Sequence, residues 1–367
     1  MLSAAQRSGT MPRVPSAALA AALAAIAAGA EERDAGPRFP ADALDLLAGA
    51  GALALGVPGP DGAVASFAEE WGLVRAVAAA DGSVARILDG HLNAVERLRV
   101  AAPEPLRAGE LAAVAAGERR LGVWGADPRA GEGPPARLVG AADGERLVGV
   151  KVFCSGAGGL DRALVAARDR EGAARLVYVD LADRVEVDRG WFRGAGMRAS
   201  ESHRVRFHGA RVLARVGGPD ELVREPEFGR DAIRTAASWA GLADAAVEAA
   251  LCELAAAGPP GELAGRAAGT MLVARATIDR WFEGAAGRAD ADPAGSLPEL
   301  SLGLRVAVAD ASRTILDEAA RACGSRPFAA GGRLDRVRRD LELFLLQHRL
   351  DPMLARSGRR ALEERSG

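Results

Sequence analysis

Between residues 119 and 224 the chain carries seven short runs rich in β-branched residues, with glycines between them, and alanine-rich helical spacing lies on either side. The runs are RLGVWGADP, ARLVGA, RLVGVKVFCSG, RALVAARD, ARLVYVDL, RVEVDRG and HRVRFHGARV. Strands this short and this regularly spaced predict an antiparallel barrel or sandwich. The preceding zone has helical spacing, as in SFAEEWGLVRAVAAADGSVARILDGHLNAVERLRV, where Ser83 is placed to start a helix carrying Ile87, Leu88, His91 and Leu92. After the β-zone come RDAIRTAASWAGLADAAVEAALCELAAAG, LAGRAAGTMLVARATIDRWFEGAAG, SLGLRVAVADASRTILDEAARACG and LDRVRRDLELFLLQHR, long helical patterns with alanine on their faces. They predict a close-packed four-helix bundle. The expectation is a multidomain α+β protein: an N-terminal helical domain over 1–118, a central β-domain over 119–224 and a C-terminal bundle over 225–367.

Composition removes several function classes. The net charge is −2 and Lys151 is the only lysine; the arginines are interleaved with acids, so no basic block offers a nucleic-acid or lipid-surface footprint. Cys154, Cys252 and Cys323 are widely spaced and lack CxxC pairing, which reads as reduced thiols in a cytoplasmic protein and gives no metal site. SAALAAALAAIAAGA, behind Arg7 and Arg13, has the length of a signal-peptide core, but alanine dominates it and EERDAGPRFP follows without a break in pattern. An ordinary alanine-rich helix is expected there, and no run is long and apolar enough to predict a membrane span. The glycine runs GAGAL (49–53) and GAGG (156–159) lack the strand-to-helix context of a nucleotide cradle and read as turns.

One histidine stands apart. In RDLELFLLQHRLDP, Leu341, Phe344, Leu345 and His348 fall at i, i+3, i+4 and i+7, which places an ionisable ring on the apolar stripe of a helix that Pro352 is expected to end. A core histidine with one satisfied nitrogen explains that placement as well as a functional one does.

The order helices, β-domain, bundle, together with several local segments, resembles the acyl-CoA dehydrogenase family of flavoproteins along nearly the whole chain. FPADALDLLAGAGALALGVP resembles the family's opening. GADPRAGEG resembles its Leu-Thr-Glu-Pro-x-Ala-Gly-Ser-Asp loop, with Asp127, Pro128, Ala130 and Gly131 at matching places and Ala126 where the family has threonine. GVKVFCSG resembles the Gly-x-Lys-x-Trp-Ile-Thr-Asn strand, with Phe153 and Ser155 at the positions that pack on and hydrogen-bond the flavin, and GMRASESHRVRFHGARV resembles the strand pair beyond it. The resemblance therefore implies FAD, held by Phe153, Ser155, Ala126, Asp127 and Gly131. An aromatic wall and a hydroxyl are what a flavin ring needs from a protein that orients it.

The resemblance also locates the chemistry and its departures. Counting from Arg339-Asp340-Leu341 puts His348 on the family's catalytic glutamate, with Arg349 and Leu350 on the Gly-Thr that follows it. The family's second solution keeps a carboxylate base on the first bundle helix, and counting back from the glycine of SWAGLA gives Asp231. From the residues alone, an aspartate in the first turn of a helix is also stabilised by its N-terminal N–H groups without any catalytic role. The arginine that meets the pyrophosphate and the glutamine that meets the adenosine have no counterparts in LAAAGPPG and ARACGSR, where only Arg321 and Arg326 offer charge. Three readings stay open. The first is α,β-dehydrogenation of an acyl thioester with hydride transfer to FAD and Asp231 or His348 as base. The second is a two-component monooxygenase that takes reduced FMN or FAD as a diffusible substrate and uses His348 at the flavin. The third is a non-catalytic assembly or ligand-binding module. Dehydrogenation comes first on resemblance. The implied partners are a small organic substrate, an electron-transfer or flavin reductase protein, and a second copy or more of the chain as homodimer or homotetramer.

Overall fold

The computed structural model describes residues 16–142, 144–259 and 261–366, so Arg7 and Arg13 lie outside the described residues. The helical N-terminal part comprises α1 (Ala17–Ala35), α2 (Ala41–Gly49), α3 (Phe67–Ala80), α4 (Gly82–Ala101) and α5 (Leu106–Ala115). Helix α1 is the alanine-rich helix expected, and its Ser16 cap accepts from the Leu19 N–H. Helix α4 starts one residue before Ser83. Its cap is Asp81, whose carboxylate accepts from the Ser83 and Val84 N–H groups, a stronger acceptor than the serine hydroxyl assigned to that job from the sequence.

All seven expected strands form: β1 (Leu121–Trp124), β2 (Arg137–Ala141), β3 (Gly144–Cys154), β4 (Arg162–Arg168), β5 (Ala174–Asp180), β6 (Val185–Asp188) and β7 (His203–Val216). Strand β7 lies between β3 and β5, β4 pairs with both β2 and β5, and the ring of pairings closes the sheet on itself. Closure removes exposed edges. The expectation of a wholly antiparallel sheet is corrected in two places: β1 runs parallel to β4, which it can reach only because the chain first crosses β2 and β3, and β2 meets β4 in parallel at Arg137 and Arg168. Residues 156–159 form a turn, and GAGAL carries the chain from the end of α2 through a turn at 50–51 into a short 3-10 helix at Ala52–Ala54, with Gly51, Gly156 and Gly158 at positive φ.

The C-terminal part comprises α6 (Glu227–Ala256), α7 (Glu262–Ala291), α8 (Pro298–Cys323), the single turn α9 (Arg326–Ala329), α10 (Arg333–Leu345) and α11 (Leu350–Ser366). Two expectations change here. Helix α10 stops at Leu345, so His348 sits in the bend before α11 and not on a helical stripe. Pro352 does not end a helix but lies in the first turn of α11, where its missing N–H would have had no partner. Helix α6 is the hub. A Cβ on Gly241 would come within 2.0 Å of the Arg75 carbonyl, so glycine is what lets α3 cross α6 at this distance. The crossing is tied by Arg75, which donates to both oxygens of Asp244 at 2.6 and 2.9 Å. Buried Arg234 on α6 donates to Glu70 of α3 and Glu96 of α4 at 2.7 and 2.8 Å, locking three helices around one guanidinium.

Candidate active site

The end of β3 presents an aromatic shelf. Phe153 has φ +53°, a strained conformation for a bulky residue, at an irregularity in the β3–β7 register, and the residue is 57% exposed. Trp191 meets it edge-on at 4.8 Å, and the Trp191 Nε1–H donates to Glu132 at 3.3 Å. Behind the shelf, the ammonium of Lys151 donates to the Gly125 carbonyl at 3.0 Å and to Asp127 at 2.7 Å, and the Val152 N–H donates to the Ala126 carbonyl. The loop of Ala126, Asp127 and Gly131 is thus pinned along the strand that carries Phe153. Asp127 is spent on Lys151, whereas Gly131, at φ +90°, faces open space.

Ser155 connects the shelf to the helices. Its hydroxyl receives the Arg86 Nε–H at 3.2 Å and lies 2.9 Å from the Ser202 hydroxyl, which in turn meets Ser200. Arg86 of α4 donates to Asp89 at 2.6 Å and covers the Phe344 ring of α10 at 5.8 Å. Thr235 of α6 donates to the same Asp89 oxygen at 3.1 Å, while the other oxygen of this fully buried carboxylate has no partner among the described residues. The Trp239 Nε1 and Ser238 hydroxyl, one turn along α6, are also buried without partners. A buried polar atom left unpaired is costly, and all three lie on α4 and α6, two helices packed against each other.

Asp231 and His348 stand at this wall. Asp231 is in the second turn of α6, past the N-terminal N–H groups expected to stabilise its charge. Burial and then the charge of Asp89 push its pKa up to about 6, against the pull of Arg234, Arg97 and Arg86, yet its side chain is 26% exposed and can be reached. His348 packs against Trp239 at 5.3 Å with Arg305 of α8 at 3.5 Å from Nδ1. Burial, then Arg305 and Arg86, lower its pKa to about 3, so the ring is neutral at physiological pH. A guanidinium can only donate, which leaves the proton of the neutral ring on Nε2. His91, the other helix-borne histidine named from the sequence, is a core residue: Nδ1 accepts from the Leu121 N–H and Nε2 donates to the Leu53 carbonyl.

The structure therefore gathers Phe153, Ser155, Asp231 and His348 around one region, with Ala126 and Asp127 as its loop support. Arg321 is paired with Glu318 on the exposed end of α8 and takes no part. Sequence reasoning missed Arg86, Asp89, Thr235, Trp239 and Arg305. A usable signal existed for the first two, an oppositely charged i, i+3 pair inside the otherwise apolar VARILDGHL.

For a flavin, the residues present fit the ring: an exposed aromatic wall and, two residues along the chain, a serine hydroxyl held by Arg86. No family model matches the chain, and no curated protein matches it significantly. Solved structures do. Dibenzothiophene monooxygenase TdsC from Paenibacillus sp. A11-2 is 20% identical with a TM-score of 0.80 over 95% of this chain and 96% of its own. Methanesulfinate monooxygenase MsuC from Pseudomonas fluorescens is 21% identical with a TM-score of 0.81 over 96% and 97%. A nitrososynthase from Micromonospora carbonacea var. africana is 23% identical with a TM-score of 0.79 over 95% and 98%. The order of elements, the closed β-domain and these likenesses together give the chain an acyl-CoA dehydrogenase-like fold.

Proposed function

We propose that the protein is a flavin-dependent monooxygenase that takes up reduced flavin mononucleotide and oxygenates a small organic substrate. The observation that carries this reading is His348: a neutral imidazole with Nδ1 turned to Arg305 and Nε2–H free to donate, at the position where the resemblance places a catalytic glutamate. Reduced flavin supplies the two electrons by which one atom of O2 enters a substrate and the other leaves as water. The protein's share is orientation and charge. Phe153 walls the ring, Ser155 offers a hydroxyl set by Arg86 and Ser202, and the Arg86 guanidinium places positive charge where anionic character would develop. His348 donates from Nε2, and Asp231 holds or releases a proton near pH 6. The absence of the pyrophosphate arginine and adenosine glutamine from LAAAGPPG and ARACGSR favours the mononucleotide over FAD. Solved TdsC and KijD3 structures that share the fold contain FMN, which supports the same choice.

A flavin reductase partner and a homodimer or homotetramer belong to this reading. Leu272 and Val273 are neighbouring exposed apolar residues on α7 for a second copy to cover. A second reading rests on Asp231, a reachable carboxylate with a pKa raised into the range of a general base, as α,β-dehydrogenation of an acyl thioester with FAD requires. The two separate in one experiment. Oxygen uptake that depends on added reduced FMN supports the first, and anaerobic bleaching of a yellow, FAD-loaded protein by an acyl-CoA supports the second. Failure to bind either flavin at micromolar concentration rejects both.

A further inference from the structure

On the other side of the β7 start from Ser202, a cavity of about 720 Å³ is lined by five arginines, Arg38, Arg189, Arg193, Arg198 and Arg339, against one carboxylate, Glu201. Three of these cations are paired: Arg189 with Glu201 at 2.6 Å, Arg339 with Asp34 and Asp335 at 2.7 and 2.8 Å, and Arg38 with Glu32 at 3.1 Å. Among the described residues, Arg193 meets only the Gly190 carbonyl and Arg198 has no partner. Two guanidiniums are left without a carboxylate.

The cavity also contains a buried imidazole. His203 is 5% exposed, and neither ring nitrogen has a hydrogen-bond partner among the described residues; Nε2 is 3.4 Å from Glu201 without the geometry of a bond. An orphaned, buried hydrogen-bonding ring at the base of an arginine-lined hollow points to a ligand that supplies acceptors. The loop that brings Arg193 and Arg198 is held in place because a Cβ on Gly196 would fall 2.0 Å from the Arg339 carbonyl, so only glycine lets it seat against α10.

We propose that this cavity binds a phosphate monoester. Two guanidiniums without a carboxylate offer their forks to the oxygens of a phosphate, and the imidazole adds a further donor. This site rests on its own charges and not on the flavin reading. Two sources of such a group are compatible with its position. His203 pairs with Cys154 and follows Ser202, which bonds Ser155, and Phe192 on the cavity wall follows Trp191, which packs on Phe153. The phosphate can thus belong to a flavin mononucleotide on the aromatic shelf or to a phosphorylated substrate.

The test is calorimetric titration of the full chain with inorganic phosphate at fixed ionic strength. One saturable site is expected, weakened at least about tenfold by Arg198→Gln and by Arg193→Gln. Arg313→Gln, which removes an exposed arginine on α8 paired with Asp310, leaves it unchanged. Arg193 is an exposed loop residue, so its variant tests the site even if Arg198→Gln does not fold. Titrating reduced FMN and reduced riboflavin then separates the sources. Loss of FMN but not riboflavin affinity in Arg193→Gln assigns the phosphate to the flavin; unchanged FMN affinity with loss of phosphate binding assigns it to a substrate. Absence of saturable phosphate binding, or variants that bind phosphate like wild type, overturns the proposal, and either result leaves the flavin test to stand or fall separately.

Discussion

Replacing Arg86 by methionine probes the junction on which the candidate site depends. The guanidinium makes a 2.6 Å charge-assisted bond to Asp89, a carboxylate with no exposed surface, and a 3.2 Å bond to Ser155. Removing one partner of a buried ion pair costs about 3–5 kcal/mol, because the remaining charge is stranded. Arg86 keeps some solvent contact and Thr235 still donates to Asp89, so the lower end applies, and Arg86→Met is expected to cost about 3 kcal/mol. Asp89→Asn retains an acceptor for Thr235 but loses the charge. In the double variant no stranded carboxylate remains, so the coupling between the two changes should be about 2 kcal/mol. Urea unfolding of wild type, both single variants and the double variant at pH 7 measures it. Additivity within about 0.5 kcal/mol would refute the claim that this pair is one buried unit.

Asp231→Asn should remove a limb near pH 6 from the pH profile of turnover, and His348→Gln should leave that limb in place, since the imidazole is neutral throughout pH 5 to 9; a limb that vanishes only in the histidine variant reverses the assignment. Asp340 is buried among Asp81 and Asp34 and has its pKa raised to about 7, so the folded state holds a proton that the unfolded chain has already released above about pH 4. Stability from this group is therefore present at low pH and lost as pH rises towards 7. Asp340→Asn, still able to accept from the Met197 N–H, should gain on wild type over that window by roughly 1 kcal/mol per pH unit, and a pH-independent difference contradicts this. Phe153→Gly should change stability by less than about 1 kcal/mol, because relief of the positive φ offsets the lost ring pair with Trp191, while flavin affinity falls about tenfold. Unchanged affinity on titration would remove Phe153 from the site.

The strands were legible because glycine-separated runs of β-branched residues have few other uses, and all seven appear where RLGVWGADP through HRVRFHGARV put them. Pairing partners were not legible: the parallel β1–β4 contact depends on where the chain crosses, which no local pattern encodes. His348 shows a different limit. Its spacing from Leu341 fits a helix, but α10 ends at Leu345, and Pro352 is as compatible with starting a helix as with ending one. Its proximity to Trp239 and Arg305 comes from tertiary packing. The same holds for Asp89 and Thr235, 146 residues apart and joined only because Gly241 and its alanine neighbours let α6 lie against the N-terminal helices. Resemblance named Phe153, Ser155, Asp231 and His348 as candidates, and the charges around them needed the folded chain.

Anaerobic titration of the protein with reduced FMN, followed by tryptophan fluorescence, tests the central claim most directly because Trp191 stands beside the exposed Phe153 ring. Saturable one-to-one quenching, weakened in Phe153→Gly and in Ser155→Ala, is the expected result. Quenching that does not saturate, or that persists unchanged in both variants, would contradict a flavin site on this shelf.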